Sequence, residues 1–368
     1  MILLLHHRYR HAGGEERAVA DLAWLIREHL GEEVEVLERD SAALSRRAAA
    51  AGLLAGGLRP AEVTEVVRRT GARVVHAHNL SPTYGWRALA AARAAGARTV
   101  LHLHNYRLVC AVGTCFTRGE DCTRCHGRNT FPGVRLNCRG SSRAESAAYG
   151  AGLALWQRRI ADAADAFVVP SAFALGRLRE LGAPVGDRAH VIASAQREIA
   201  VHSRAAEGHF ALAAGRLAPE KGFADAIAGS AAAGRPLVVA GDGPELERLR
   251  ALAGPEVRFT GRVTPDELAA LRRDAAVAIV PSRYAEILPL AALEAMAAGL
   301  PVVAARTGGL AEVVPGEGLY APGDAPALAE RVNALWADEA AGERALAAVR
   351  ERAAPGVVAA ALAAVYAA

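Results

Sequence analysis

The sequence has no stretch of about 18 uninterrupted apolar residues, and its apolar opening, Met1 to Leu5, is too short for the core of an export signal. Nothing therefore reads as a membrane span or a secretion signal, and a cytoplasmic location is expected. An excess of one charge is missing as well. The 43 Lys and Arg are offset by 39 Asp and Glu spread along the whole chain, leaving a net charge of +4. Such a balance offers no basic face for nucleic acid, and neither RNP nor zinc-finger spacing is present. Gly (36) and Pro (17) are too few among 368 residues for a collagenous or low-complexity chain. With 52% hydrophobic and 22% charged residues, disorder is excluded too. No short repeat is visible. What remains is a soluble globular protein long enough for two or three domains.

Cysteine is scarce and oddly placed, since all five fall between Cys110 and Cys138. In a reducing compartment such clustering reads as metal binding more readily than as disulfides. The cysteines occupy a segment of 37 residues, 105–141, with no clear strand or helix period. A compact domain tolerates a loop of that length only when it is functional or cross-linked.

Elsewhere short β-rich runs alternate with helical spacing, the pattern of parallel α/β architecture. The first set comprises Ile2–Leu5, Val34–Leu37, Val74–Ala77, Thr99–Leu103, Phe167–Pro170 and His190–Ile192. The second comprises Phe210–Ala214, Leu237–Ala240, Val257–Thr260, Val277–Val280 and Val302–Ala305. Val19, Leu22, Ile26 and Leu30 share one stripe of the helix that follows Gly14. Two doubly wound, Rossmann-like domains are expected, over 1–193 and 209–350. The polar stretch Ser194 to Gly208 is read as their linker, with ligand in a cleft between them.

The strongest local signal is PSRYAEILPLAALEAMAAG, Pro281 to Gly299. A buried strand ends at Pro281, and Pro289 suits the first position of a helix because its missing N–H would lack a partner there anyway. From Leu290 to Ala298 that helix is apolar on every face except at Glu294, so it is expected to be buried, with the lone carboxylate paired, protonated or poised for a ligand. The N–H groups of Leu288, Leu290 and Ala291 could cradle a phosphate between Glu286 and Glu294. The alternative is that Glu294 pairs with a core Arg and Glu286 is a solvated loop residue.

A second signal is Gly215 to Gly222, GRLAPEKG, directly after a strand. Arg216 and Lys221 stand where parallel sheets bind ligands, and two cations there could neutralise a diphosphate; a turn with solvated charges is the plainer reading. Gly13 and Gly14 open a helix but do not form GxGxxG. His76, His78, His102 and His104 end two neighbouring strands, and alternation puts the members of each pair on one side. His6, His7, Arg8, Arg10 and His11 read as a basic loop, either solvated or favouring an anionic or lipid-diphosphate acceptor, which would bring peripheral membrane contact.

Taken together these residues resemble glycosyltransferase family 4, retaining enzymes of the GT-B fold. The likeness spans nearly the whole chain: Gly13-Gly14, His104-Asn105, the GRLxPEKG run, Gly241-Asp242-Gly243, and Glu286 to Glu294 followed by Met296-Ala-Ala-Gly and Gly308-Gly309. It implies that Arg216 and Lys221 bind the donor diphosphate, Glu294 the nucleotide ribose and Glu286 the donor sugar. It implies further that Gly14 faces the donor phosphates, that His104 stands beside the transferred sugar, and that the C-terminal helix within 351–368 crosses back to the N-terminal domain. His102 occupies a position where the family often has Thr. Leu288 and Pro289 replace a common Phe-Gly, and the usual Asn-Gly near Ala193 to Gln196 is missing.

The cysteine loop is similar to that of a subset of the family, and Cys110, Cys122, Cys125 and Cys138 occupy its places, leaving Cys115 as an extra. Their C-x11-C-x2-C-x12-C spacing suits a structural Zn²⁺, with Fe–S and free buried thiols as alternatives. The resemblance thus implies transfer of a sugar from a UDP- or GDP-sugar to the hydroxyl of a glycan, glycolipid or small molecule, without a catalytic metal. The acceptor would bind in the N-terminal domain and the donor in the C-terminal one. A GT-B 2-epimerase or hydrolase, and a non-catalytic sugar-nucleotide binder, are the rival readings.

Overall fold

Runs of Val, Ile, Leu and Ala buried on both faces make the strands of a parallel sheet covered by helices, because a crossover helix shields each face from water. In the computed structural model, which describes residues 1–9, 13–139, 142–287 and 289–368, these runs build two sheets in two units. The first unit comprises Met1–Thr117, Cys122–Ala195 and Pro355–Ala368; the second comprises Arg118–Asp121 and Gln196–Ala354.

In the first unit the strands are β1 (Ile2–Arg8), β2 (Val34–Asp40), β3 (Val74–Ala77), β4 (Arg98–His102), β5 (Ala166–Val169) and β6 (Ala189–Val191). They pair in parallel in the order β2-β1-β3-β4-β5-β6. Ile2 sits opposite Val34 on one side and Val74 on the other, which fixes the register of the sheet centre. Strand β1 runs past the expected Leu5 because His6 and His7 continue it and are 1% and 0% exposed. The basic loop expected there is therefore in part buried strand. Arg8 is exposed and pairs with Glu38 at 3.3 Å, while Arg10 and His11 lie outside the described residues.

Helix Gly14–Leu30 buries Val19, Leu22, Leu25 and Ile26 against the sheet, and Leu30 packs at the edge of the same cluster. The last helix, Pro355–Ala367, adds Val358, Ala359, Leu362, Val365 and Tyr366 to this core beside Ile2, Leu4 and Ile26. Within 105–141 only a two-residue ribbon, Phe116–Thr117 with Glu120–Asp121, and a five-residue helix, Phe131–Arg135, are regular among the described residues.

The second unit contains β7 (Ala211–Ala214), β8 (Leu237–Ala240), β9 (Val257–Gly261), β10 (Val277–Val280), β11 (Val302–Ala305) and β12 (Leu319–Tyr320). Their order is β9-β8-β7-β10-β11-β12, all parallel. This is the dinucleotide-fold order, whose ligand crevice opens at the carboxyl ends of the two strands where the order reverses, here β7 and β10. Strand β12 escaped the sequence reading because two residues carry no period. Helix Leu290–Ala297 starts one residue later than expected: Pro289 (φ −83°, ψ 63°) caps the helix instead of opening it.

Leu362→Ala should destabilise the protein by about 2–5 kcal/mol, the usual cost of emptying a packed leucine site. Chemical denaturation measures this, and a loss below about 0.5 kcal/mol, typical of surface sites, would contradict the packing of the last helix.

Candidate functional site

The carboxyl ends of β7 and β10 carry the loops Gly215–Gly222 and Pro281–Ile287. Gly222 adopts φ +68°, and a Cβ there would lie 2.0 Å from the Pro281 carbonyl oxygen, so only glycine lets the loops meet. Close by, the Arg283 N–H donates to the Glu220 carbonyl at 2.9 Å, and the Arg283 guanidinium pairs with Asp225. The approach brings Lys221 Nζ to 2.8 Å from Glu286 Oε1 and 3.4 Å from the Tyr284 hydroxyl. Glu286 is 3% exposed, not a solvated loop residue, and also accepts from Ser282 Oγ.

Burial opposes the charge on Lys221, but the Glu286 carboxylate outweighs it and holds the ammonium above its usual range. Burial also pushes the Tyr284 phenol up to about 12, aided by Glu286. A third loop, after β11, completes the frame. Gly309 N–H donates to the Glu286 carbonyl at 2.7 Å, and Thr307 Oγ1 donates to the Ser282 carbonyl at 3.1 Å.

Arg216 is on the same loop as Lys221 but is 61% exposed at the side chain and pairs with Glu220. Glu294 does lie on a buried helix, yet its carboxylate pairs with Arg272 of helix Pro265–Asp274. The plainer expectation for Glu294 is thus what the structure shows, and any ribose contact would have to share the carboxylate with Arg272. Leu290 and Ala291 form the first turn of helix Leu290–Ala297, where N–H groups have no intrahelical acceptor. Leu288, the remaining residue of the expected phosphate cradle, lies outside the described residues.

In the first unit Gly14 opens its helix, but an acidic side chain already occupies the helix start. Glu16 Oε2 accepts from Gly13 N–H at 2.7 Å and Oε1 from Tyr9 N–H at 3.0 Å. Burial resists ionisation of Glu16, but the His6 ring 3.8 Å away and hydrogen bonds from these backbone groups prevail and lower its pKa to about 2. Beside it the Tyr9 hydroxyl donates to Glu15 Oε2 at 2.8 Å and accepts from Arg107 Nη1 at 2.8 Å. His104 lies two residues beyond β4, stacked on His102 with ring centroids 3.9 Å apart, and its Nε2 is 2.7 Å from His78 Nδ1. Burial depresses His78, His102 and His104 far below the usual imidazole value.

All five cysteines line one small cavity together with Ala111, Pro132 and Gly133. Cys115, read as an extra, belongs to the group: it hydrogen-bonds Cys110. That bond and the N–H groups of Gly113, Cys115 and Val112 lower the Cys110 thiol to about 6 against the effect of burial. Cys115 takes a left-handed backbone, φ +50°, which turns the chain back toward Cys110. Sequence spacing does not reveal such a reversal. Ser282, Tyr284, Asp225, Arg272, Glu15, Glu16 and Arg107 were also missed; the partners of Tyr284, Asp225, Arg272 and Arg107 come from distant segments, Ser282 and Glu15 bond neighbours across irregular loops, and only the Glu three residues after Gly13 carries a capping signal.

Two parallel-sheet units, one with dinucleotide-fold order and a lysine–carboxylate pair at its switch point, define a GT-B glycosyltransferase architecture. Residues 7–195 match the family model described as a glycosyl transferase 4-like domain, and residues 208–338 match that of glycosyl transferases group 1. The chain belongs to this glycosyltransferase family.

Among curated relatives, glycogen synthase of Mycobacterium tuberculosis is 40% identical over 151 residues, 38% of this chain and 36% of that one. A GDP-mannose-dependent phosphatidylinositol monomannoside mannosyltransferase of the same species is 32% identical over 184 residues, 43% of this chain and 48% of that one. The matches thus span less than half the length of these relatives. Among solved structures, Anabaena HepE in complex with UDP aligns with 99% of this chain and 98% of its own, at 19% identity and a TM-score of 0.65. Among the described residues no helix is long and apolar enough to cross a membrane.

Because its folded pKa is lowered, Glu16 contributes stability that is fully present above about pH 4.5 and lost as pH falls toward about 2. The stability gap between wild type and Glu16→Gln, measured by urea unfolding, should therefore narrow across that window. A gap constant from pH 5 down to about 2 would mean that the carboxylate does not cap this helix.

Proposed function

We propose that the chain is a retaining glycosyltransferase that moves a hexose from a nucleotide-diphosphate donor, a UDP- or GDP-sugar, to an acceptor hydroxyl. The observation that carries this reading is the pairing of partly exposed Lys221 with buried Glu286 at the switch point of the second sheet. The GDP-mannose in the name of one relative and the UDP held by a structural neighbour make those two donor classes the first to try.

As the bond to the sugar breaks, negative charge grows on the leaving diphosphate. Lys221, already charged and fixed by Glu286, meets that charge without reorganising, which is where preorganised electrostatics lowers a barrier most. Arg216, exposed and paired with Glu220, is the second cation for the diphosphate, while the first-turn N–H groups of Leu290 and Ala291 add the positive end of a helix. Glu286 takes sugar hydroxyls, and Glu294, steadied by Arg272, takes the ribose. The roles proposed for His104, beside the transferred sugar, and Gly14, facing the phosphates, rest on the family likeness. The acceptor attacks from the face the diphosphate leaves, and a diphosphate oxygen takes the acceptor proton, so configuration is kept.

Arg216→Ala should fold normally and lower kcat by on the order of 10²-fold. Lys221→Ala should lower kcat at least as much and also destabilise the fold, by about 3–5 kcal/mol, because Glu286 is left buried and unpaired. Steady-state kinetics on donor with and without acceptors checks this; a change confined to KM would mean ordinary ground-state binding. Turnover persisting in excess chelator supports a reaction that needs no catalytic metal. Turnover of donor without any acceptor would favour an epimerase or hydrolase, and binding without turnover a non-catalytic role.

The cysteine cavity is proposed to hold one structural Zn²⁺ through Cys110, Cys122, Cys125 and Cys138. Its support is the convergence of thiols from distant parts of an irregular segment, which a metal would order. Elemental analysis of protein purified without affinity metal should find zinc in the wild type and none in Cys125→Ser. Since Cys115 touches Cys110, the comparison of Cys115→Ser with Cys122→Ser decides which thiol is the fourth ligand; zinc kept by Cys122→Ser and lost by Cys115→Ser would exchange them. Iron in the wild type would overturn the assignment.

A further inference from the structure

Strand alternation puts His76 and His78 on one side of β3 and its extension, and His102 and His104 on the same side of β4. The four rings form a stack: His76 on His78 at 4.9 Å between centroids, His78 on His102 at 5.3 Å, and His102 on His104 at 3.9 Å. At one end of the stack the Tyr366 hydroxyl engages His76 Nδ1 at 2.7 Å. The other three rings have no such anchor. His78 is 4% exposed and His102 8%, and His78 Nε2, both nitrogens of His102 and Nδ1 of His104 are buried without a hydrogen-bond partner. Groups that bond strongly to water have thus been enclosed together, and among the described residues these four nitrogens find no partner.

Ligand nitrogens of His78, His102 and His104 all lie within 4.8 Å of one another. Three nitrogens bound to one tetrahedral ion at about 2.0–2.1 Å would be about 3.3 Å apart, so the rings would turn out of their stack and close by up to about 1.5 Å to share an ion. Among the described residues this is the group of His, Cys, Asp and Glu side chains that meets that closeness. We propose that His78, His102 and His104 form a binding site for a divalent transition ion of the zinc class, with three imidazole nitrogens as ligands and the fourth position open.

The chemistry of the donors fits. Imidazole suits Zn²⁺, Co²⁺, Ni²⁺ and Cu²⁺, whereas Mg²⁺ and Ca²⁺ want oxygen. Burial keeps the rings neutral, the form that ligates. His78 Nδ1 and His104 Nε2 face each other at 2.7 Å, a bond that an ion would have to replace. His104 is also the residue proposed to stand beside the transferred sugar, so a bound ion would compete with that contact. The site is therefore inhibitory or structural in character, and its existence does not depend on the proposed transfer reaction.

The test is direct titration with Co²⁺ of the chain purified without affinity metal and incubated with chelator. Thiolate ligation gives intense sulfur-to-cobalt charge-transfer absorption, and imidazole ligation gives ligand-field bands without it. The wild type should take up a Co²⁺ equivalent whose spectrum is free of charge transfer, distinct from any held by cysteine. His102→Thr and His78→Asn should each lose that equivalent while keeping the thiolate signal and the wild-type circular dichroism. X-ray absorption on the zinc-loaded wild type gives a reading that needs no variant: a nitrogen-only shell in addition to any sulfur shell supports the site. Sulfur-bound metal alone, or a nitrogen-bound equivalent that persists in His102→Thr, would overturn it, and neither result bears on whether donor sugar is transferred.

Discussion

A carboxylate enclosed at the end of a sheet and met by a partly exposed lysine imposes a severe condition on everything around it. Removing the carboxylate charge from water is costly, and the lysine's attraction offsets that cost only when geometry is tight and remaining lone pairs are satisfied. Lys221 and Glu286 meet the condition because three loops, from the ends of β7, β10 and β11, are drawn into contact. Gly222 lets the first two touch. Gly308, at φ +50° with no room for a Cβ beside the Glu286 backbone, lets the third close over them. Ser282 supplies one hydrogen bond to the carboxylate, and Thr307 fixes the Ser282 carbonyl. The dinucleotide-fold strand order matters for this reason: it places two strand ends side by side with their crossovers leaving in opposite directions.

The first unit uses a similar sheet for the opposite electrostatic purpose. Its helix start is filled by Glu16, and beside it half-buried Glu15 has its carboxyl raised by burial against the pull of Arg107. Around these acids the chain gathers the Arg107 guanidinium and the His6 ring. The second unit is therefore ready to receive negative charge, and the first is stocked with groups that accept or share protons and lone pairs.

Alternating runs of β-branched residues and helical stripes made the architecture legible, and most strands fell within a residue or two of their expected ends. Strand β1 ran long because histidine is polar by composition yet buried here. The loop residues Lys221 and Glu286 were legible through their place after strands. Their direct pairing was not, because it joins segments 65 positions apart. Arg272 illustrates the same limit: a charged residue on an amphipathic helix reads as solvated until the fold brings Glu294 beneath it. The cysteine segment was recognisable as exceptional from its lack of period. Cys115 was set aside because linear spacing carries no information about a left-handed turn.

The path of the chain through the first core has a consequence for the order in which the protein is made. Residues 1–195 contain every strand of that sheet, yet Val358, Leu362, Val365 and Tyr366, which seal it against helix Gly14–Leu30, arrive only with the last helix. A nascent chain emerging from the ribosome must hold an unsealed apolar face through synthesis of the entire second unit. That second unit, continuous from Gln196 to Ala354 apart from a four-residue contribution, has nearly all it needs as soon as it emerges. The unit that begins the chain is thus the later of the two to complete its core, part of its helix and sheet face staying uncovered during that interval.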